Sequence, residues 1–321
     1  MTKVCVCITT YNLEDYIETA LLSVLNQRTN FGYKIIIADD YSTDNTVNIL
    51  NKYKELYPDK IEILLSDRNM GSLANSNRLF DGIQCQYFSF LDGDDYWCDE
   101  FRLQKQVDFL DNNPEYMMCS GNTQYLRNNE LAEFVVDKNK TGKSYTFDQM
   151  LHGKMPFFHT SAILVRNDIF INGLPNCYKD AVGTYEECAL RGEDFRRILH
   201  LEKGPLYSFD EVFSVYRIHE KGIWQGSTMT RKRIEGCISE LFYAKYFKDN
   251  YNNYFTKNAF ISYKYLLMDL LTGRGVKKGE FSEKESSLLI AYLLSVAESG
   301  IIPAKNFMLR RIIIRIFFKL V

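Results

Sequence analysis

Hydrophobic positions in the first hundred residues alternate between two periods. Val4-Cys5-Val6-Cys7-Ile8 is an unbroken apolar run, which predicts a strand buried on both faces. Over residues 13 to 27, Ile17, Ala20, Leu21, Val24 and Leu25 fall on one face of a helix that Asn12 can cap. A second strand follows over residues 34 to 38. Ser42-Thr43-Asp44 then opens a second helix that ends near Tyr57-Pro58. Residues 61 to 65 predict a third strand, 72 to 83 a helix, and 87 to 91 a fourth strand. Strands alternating with helices imply right-handed crossovers, hence an α/β fold with a mostly parallel sheet.

This topology decides where the polar residues meet. Thr9-Thr10-Tyr11-Asn12, Asp39-Asp40, Asp67-Arg68-Asn69 and Asp92 to Asp95 each follow one predicted strand. In a parallel sheet these tips share one edge, where open α/β sheets bind ligands. The most informative tip is Phe88-Ser-Phe-Leu-Asp-Gly-Asp-Asp-Tyr-Trp97, a short apolar strand that delivers three carboxylates into a turn. Carboxylates this close repel one another, and a hard cation among them relieves the repulsion. An isolated Asp-x-Asp is usually a solvated turn; four polar loops at one edge favour a site.

Beyond residue 115 the pattern mixes short strands with polar loops up to about 220, then turns helical. Residues 232 to 248 and 254 to 272 read as amphipathic helices, and Ser282 to Glu285 has capping-box spacing before another. In the final stretch, 307 to 321, Arg311, Arg315 and Lys319 recur every four residues beside an apolar remainder. That tail suits either packing on its own domain or lying on an anionic membrane surface.

Composition narrows the class. With 321 residues, a net charge of -2, 22 Tyr and 22 Phe, the chain is folded and no obvious nucleic-acid binder. Its 8 cysteines have no metal-ligand spacing, and Cys5 and Cys7 face one side of a strand as small hydrophobes. Free thiols behind an N-terminus without a signal-peptide pattern predict a reducing cytoplasm. No apolar run is long enough to span a bilayer.

The order and spacing of Thr9-Thr10-Tyr11-Asn12, Ala38 to Asp44, Asn69-Met70-Gly71, Leu91 to Trp97, Glu193-Asp194 and Tyr216-Arg217-Ile218-His219 resemble the family-2 glycosyltransferases of the GT-A fold, of the bacterial surface-glycan type. The resemblance runs from Lys3 to about 227. It implies a catalytic domain over 1–227, with a nucleotide-sugar part near 1–115 and an acceptor part near 116–227. Residues 228–321 form a helical region outside the motifs.

What the resemblance implies is an inverting, metal-dependent enzyme of hexosyltransferase type. It would move a sugar from a nucleotide-sugar, UDP being the commonest carrier, to a hydroxyl of a glycan, lipid-linked or protein-linked acceptor. Thr9, Tyr11 and Asn12 would lie along the nucleotide with Asp40, or its neighbour Asp39, on the pyrimidine. Asn69 and Gly93 belong to the same donor-binding set. Asp92 would hold the ribose, and Asp94 would ligate Mn²⁺ or Mg²⁺. Asp95 would support the metal or bind the sugar. His219 would complete the metal or diphosphate site beside Arg217, and Asp194, next to Glu193, would be the catalytic base. The chain departs from the usual pattern at Ser76-Asn77-Arg78, where Arg78 stands one position late for a phosphate contact, at Thr9 in place of Pro, and at Asp99 in place of Pro.

Two residues stay open between roles. His159 either lines the acceptor side or ends a strand. Trp97 is either core or a sugar-stacking platform, its place beside the turn favouring the site or its floor. Rival readings are a catalytically silent nucleotide-sugar-binding scaffold and, more remotely, a haloacid-dehalogenase-like phosphatase. The latter expects Thr or Val where Tyr96 stands, and places its acidic motif after the first strand. A dinucleotide-dependent dehydrogenase would need glycines after the first strand, and Thr9 to Asn12 supplies none. The expected partners are a nucleotide-sugar donor, a glycan acceptor and an anionic membrane surface, with self-association open.

Overall fold

The computed structural model describes residues 2–219, 229–248 and 251–272. They pack as two compact units. One comprises residues up to Asp180 with Arg196–Glu220; the other comprises Ala181–Phe195 with the described residues beyond Lys221.

The first unit is built on a sheet of ten strands among the described residues. Strands β1 (Thr2–Thr10), β2 (Tyr33–Asp39), β3 (Ile61–Leu65) and β4 (Cys85–Asp92) lie in the order β3-β2-β1-β4, all parallel. Helices α1 (Ile17–Leu25), α2 (Thr46–Leu56) and α3 (Ser72–Phe80) connect them. Val4 to Ile8 are fully or nearly fully buried, as expected of a strand with neighbours on both edges and helices on both faces. Ile17, Ala20, Leu21 and Val24 of α1 pack against this core.

Two helix starts differ from the sequence expectation. Helix α1 begins at Ile17, and Tyr16 stands at its N-cap without a side-chain hydrogen bond. Asn12 does not cap it. Its backbone takes φ 53, and its side-chain oxygen accepts the Thr43 N–H at 2.7 Å. Asn tolerates the left-handed region, and its short amide reaches the neighbouring loop from there. Helix α2 begins at Thr46, because Asp44 accepts the Thr46 N–H at 3.0 Å and closes a turn first.

Beyond β4 the sheet becomes mixed. β5 (Tyr96–Trp97) follows the acidic turn, and α4 (Arg102–Asn112) follows β5. Then come β6 (Met118–Arg127), β7 (Glu130–Phe134), β8 (Lys143–Tyr145), the short α5 (Phe147–Leu151), β9 (Ile163–Arg166) and α6 (Asn176–Asp180). After α7 (Glu187–Leu190) and α8 (Glu193–Leu201), β10 (Leu206–Ile218) is the longest strand. β9 lies antiparallel between β4 and β6, β10 runs parallel to β6, and β5 lies antiparallel on the far side of β10. β10 thereby returns to the acidic turn from the other side, with Ser214 opposite Trp97.

In the second unit, Phe195 lies among Phe242, Tyr243 and Tyr246 of the helix Met229–Phe247, with ring centroids 5.0–5.8 Å apart. The helix Tyr254–Thr272 joins it through Phe247 and Phe255, stacked at 4.6 Å. Both helices match the sequence reading closely. The capping-box segment from Ser282 and the tail 307–321 lie outside the described residues. Among those described, no helix is long and apolar enough to cross a membrane.

Glycine is required where β10 is irregular. A Cβ at Gly121 would meet Phe213 ring carbons at 2.3 Å and the Glu211 carbonyl at 2.9 Å. Gly121→Ala should destabilise the fold by about 1–3 kcal/mol through overpacking, read as a lower urea midpoint at unchanged slope.

Candidate active site

The sheet edge is first shaped by hydrogen bonds between its own loops. The Asn12 and Leu13 N–H groups donate to the Ser42 and Thr46 hydroxyls, each at 2.9 Å. Glu14 and Asp44 exchange contacts with each other's strands of loop: Glu14 N–H donates to Asp44 at 3.1 Å, and Asn45 N–H donates to Glu14 at 2.9 Å. Asp39 and Asp40 are both buried. Asp39 accepts from the Ser42 N–H (2.9 Å) and hydroxyl (2.5 Å). Asp40 accepts from the Met70 and Gly71 N–H groups at 2.7 and 2.9 Å. Gly71 has φ 89, a conformation that favours glycine. Both carboxylates therefore shape loops by taking backbone donors that would otherwise be buried unpaired. Tyr11 and Asn69 are exposed beside them, and Thr9 is half-buried.

Arg78 does not project freely from this edge. It donates to the carbonyls of Leu65 (2.8 Å) and Asp39 (3.2 Å) and to the Asn75 side chain (3.1 Å). A fork spread over three acceptors fastens α3 to the ends of β2 and β3.

The acidic turn stands at the end of β4. The Asp95 N–H donates to the Asp92 carbonyl and the Gly93 N–H to the Thr9 carbonyl, both at 3.0 Å. A Cβ at Gly93 would lie 2.8 Å from that carbonyl, so only glycine permits so close an approach to the first loop. Asp92 and Asp94 are half-buried, whereas Asp95 is 1% exposed. Burial, then the charges of Asp94 and Asp92, push the Asp95 carboxyl well above the usual carboxylate range.

Donors converge on the turn from β10. The Arg217 N–H donates to Asp95 at 3.0 Å, and its Nε donates to the Asp94 carbonyl at 3.0 Å. The Arg217 guanidinium lies over the rings of Tyr16 and Tyr96. His219 Nε2 is 2.9 Å from the Asp94 carboxylate, and the imidazole packs on Tyr16 with centroids 4.6 Å apart. The structure thus brings together Asp94, Asp95, Arg217 and His219 from positions more than 120 apart in the chain.

His159 approaches from a third side, where a 3₁₀ turn (Thr160–Ala162) precedes β9. Its Nδ1 is 3.6 Å from Asp95, and its ring stacks on Tyr216 at 4.4 Å. Burial pulls its pKa down to about 4, partly opposed by the Asp94 charge, so the imidazole is neutral at pH 7. The Ser161 hydroxyl donates to Asp95 at 2.8 Å. Ser161 was not singled out from sequence; the only signal was the polar His159-Thr160-Ser161 inside an apolar stretch. Trp97 is floor and not a platform. Its ring is 4% exposed, its Nε1 donates to the Ser161 carbonyl at 2.8 Å, and the Arg102 guanidinium lies 3.8 Å from it.

Glu193 and Asp194 open α8, within the second unit. There the buried carboxyl of Glu240 is pushed up to about 7, by burial first and by the Asp194 charge second.

A divalent cation fits the first unit's donor set. Ligand atoms of Asp92, Asp95 and His159 lie within 4.8 Å of one another, and Asp94 with His219 stands beside them. His219 Nδ1 is buried without a hydrogen-bond partner among the described residues. Hard carboxylate oxygens with one or two imidazoles are donors that Mn²⁺ accepts.

A parallel sheet edge carrying this acidic turn, continued by a mixed half-sheet, defines an α/β fold of GT-A type. The family model for glycosyl transferase family 2 matches residues 5–174, and the chain belongs to that family. An uncharacterized protein of Mycobacterium tuberculosis, Rv1520, is 28% identical over 228 residues, covering 70% of this chain and 61% of the relative. The chain thus spans about three-fifths of that relative's length. The putative teichuronic acid biosynthesis glycosyltransferase TuaG of Bacillus subtilis is 37% identical over 100 residues, 31% of this chain and 38% of TuaG. Among solved structures, S. aureus TarS 1-349 in complex with UDP superposes with TM-score 0.53 at 16% identity, covering 94% of this chain and 88% of that one. The mannosyltransferase PcManGT of Pyrobaculum calidifontis, in complex with GDP-Man and Mn²⁺, superposes with TM-score 0.52 at 16% identity, covering 99% and 86%. At such identities these structures show a shared fold.

Asp40→Ala should release the Met70–Gly71 segment. The expected loss is on the order of 2–3 kcal/mol for two charge-assisted bonds, read by chemical denaturation, with faster amide exchange at Met70 and Gly71.

Proposed function

We propose that the chain is an inverting, divalent-cation-dependent transferase that moves a sugar from a nucleotide-sugar, UDP-linked by preference, to a hydroxyl of a cell-surface glycan or its lipid-linked or protein-linked precursor. The observation that carries this reading is the pairing of Asp94 with His219 at 2.9 Å, at the C-terminal edge of the parallel strands. The UDP bound in TarS and the GDP-Man and Mn²⁺ bound in PcManGT support a nucleotide-sugar and a cation for this fold. The teichuronic acid role in TuaG's name supports a surface-glycan acceptor.

Asp94 and His219 would hold the cation, with Asp92, Asp95 and His159 as neighbouring donors. When bound, the ion neutralises charge on the departing diphosphate. The remaining work falls to side chains of this protein. Asp92, half-buried at the strand end, holds the ribose. Arg217 adds positive charge beside the diphosphate while its backbone fixes Asp95. Thr9, Tyr11, Asn12 and Asn69 line the nucleoside, with Tyr11 free to stack on the base. Asp39 and Asp40 accept loop donors that shape the edge and present their remaining acceptor capacity to the base. Asp194 takes the proton of the attacking hydroxyl, worth about 10² to 10⁴ in rate, and Glu193 assists at the same helix start. One displacement inverts the anomeric centre. The basic tail 307–321 supplies contact with an anionic membrane on the cytoplasmic side.

The test is a screen of nucleotide sugars for Mn²⁺-dependent hydrolysis by the full chain. One preferred donor and complete loss with chelator are expected; donor binding without turnover across all donors would favour the silent scaffold. Asp94→Asn should reduce metal-dependent turnover by at least about a hundredfold, a neutral amide being a weaker ligand; full turnover removes Asp94 from the metal site. Asp194→Asn should abolish transfer while donor affinity, measured by calorimetry, stays within about twofold. Collapse of donor binding would make Asp194 structural.

A further inference from the structure

The core beneath the acidic turn holds a cation of its own. Arg102, at the start of α4, is wholly buried, and among the described residues its hydrogen bonds reach no carboxylate. Its guanidinium donates to the Ser161 carbonyl, to the Ser89 hydroxyl at 3.0 Å and to the Gln106 side-chain oxygen at 3.0 Å. Burial lowers its pKa to about 9, which leaves it cationic at neutral pH.

The first of these contacts is on the turn that carries Ser161, and the Ser89 hydroxyl in turn donates at 2.7 Å to the carbonyl of Ile163, which follows that turn. Trp97 donates to the same Ser161 carbonyl. Gln106, one helical turn after Arg102, donates to the Ala162 carbonyl at 3.0 Å. Residues i and i+4 on the buried face of α4 thus hold two successive carbonyls of the 3₁₀ turn. Toward Asp95 the turn presents the buried Ser161 hydroxyl, which donates to it, and the ring of His159, the residue before the turn, which stands beside it.

We propose that Arg102 is a positioning residue for the cation site, acting through Ser161. It clamps the turn from the core so that the Ser161 hydroxyl and His159 meet Asp95 in one arrangement. This inference rests on the metal reading above, and electrostatics gives it a sign. A buried positive charge near a cation site repels the cation, so removing Arg102 would tighten metal binding if charge alone mattered. A clamp predicts the reverse.

The experiment measures Mn²⁺ affinity of the full chain by electron paramagnetic resonance for wild type, Arg102→Met, Ser161→Ala and the double variant, with thermal unfolding alongside. Each single variant should weaken Mn²⁺ binding about tenfold, the order of one hydrogen bond to a charged group. The double variant should be no weaker than the worse single one, because both act through the same contact. Ser161→Ala removes one hydroxyl and keeps the fold testable if Arg102→Met does not accumulate. Unchanged or tighter Mn²⁺ binding in Ser161→Ala, or additive losses in the double variant, would overturn the clamp. Wild type that binds no Mn²⁺ would instead overturn the metal reading itself.

Discussion

Three carboxylates on four consecutive residues set the electrostatic problem that this fold is arranged around. Asp95 is enclosed, and the charges of Asp94 and Asp92 add to the cost of ionising it. Against that cost Asp95 receives donors from distant segments, a backbone N–H of β10 and a hydroxyl from the turn before β9, while an imidazole at the end of β10 meets Asp94. The change from a parallel to a mixed sheet follows from the same need. β10, antiparallel to β5, brings Arg217 and His219 to the turn that leaves β4. The second half of the sheet is the scaffold of that counter-charge.

The parallel half solves a different problem with the same residue type. Asp39 and Asp40 each take two donors from a nearby loop. Their effect is to bind the loops after β2 and β3 to the sheet, as Asn12 and Thr46 bind the loop after β1. Loops tied down this way present a rigid edge, which lowers the ordering cost when a ligand binds there.

How much of this was legible depends on range along the chain. The four parallel strands and their helices follow from local periodicity, and so does the convergence of polar loops at one edge. Asn12 misleads because its side chain serves Thr43, thirty-one positions away, and not the adjacent helix. The segment from 115 to 220 resists reading because β7, β8 and β9 are short and the pairing of β6 and β10 is broken by register shifts, so no single period persists. Trp97 lies two positions past a site aspartate and still belongs to the core, since its indole faces Arg102 and the Ser161 carbonyl. The pairing of Asp94 with His219 emerges from family spacing, and its geometry only from the fold.

Burial separates the three acids further than sequence can. Asp95 has a bonded donor on each oxygen and no access to solvent, so its charge acts on its neighbours more than on a ligand. Asp92 and Asp94 keep an accessible side, and Asp94 meets an imidazole there. A cation held at Asp94 would also relieve the repulsion that drives Asp95 toward protonation, so occupancy and the ionisation of the buried acid favour each other. The turn is then one coupled unit, in which the charges of the two more accessible carboxylates bear on the hidden one.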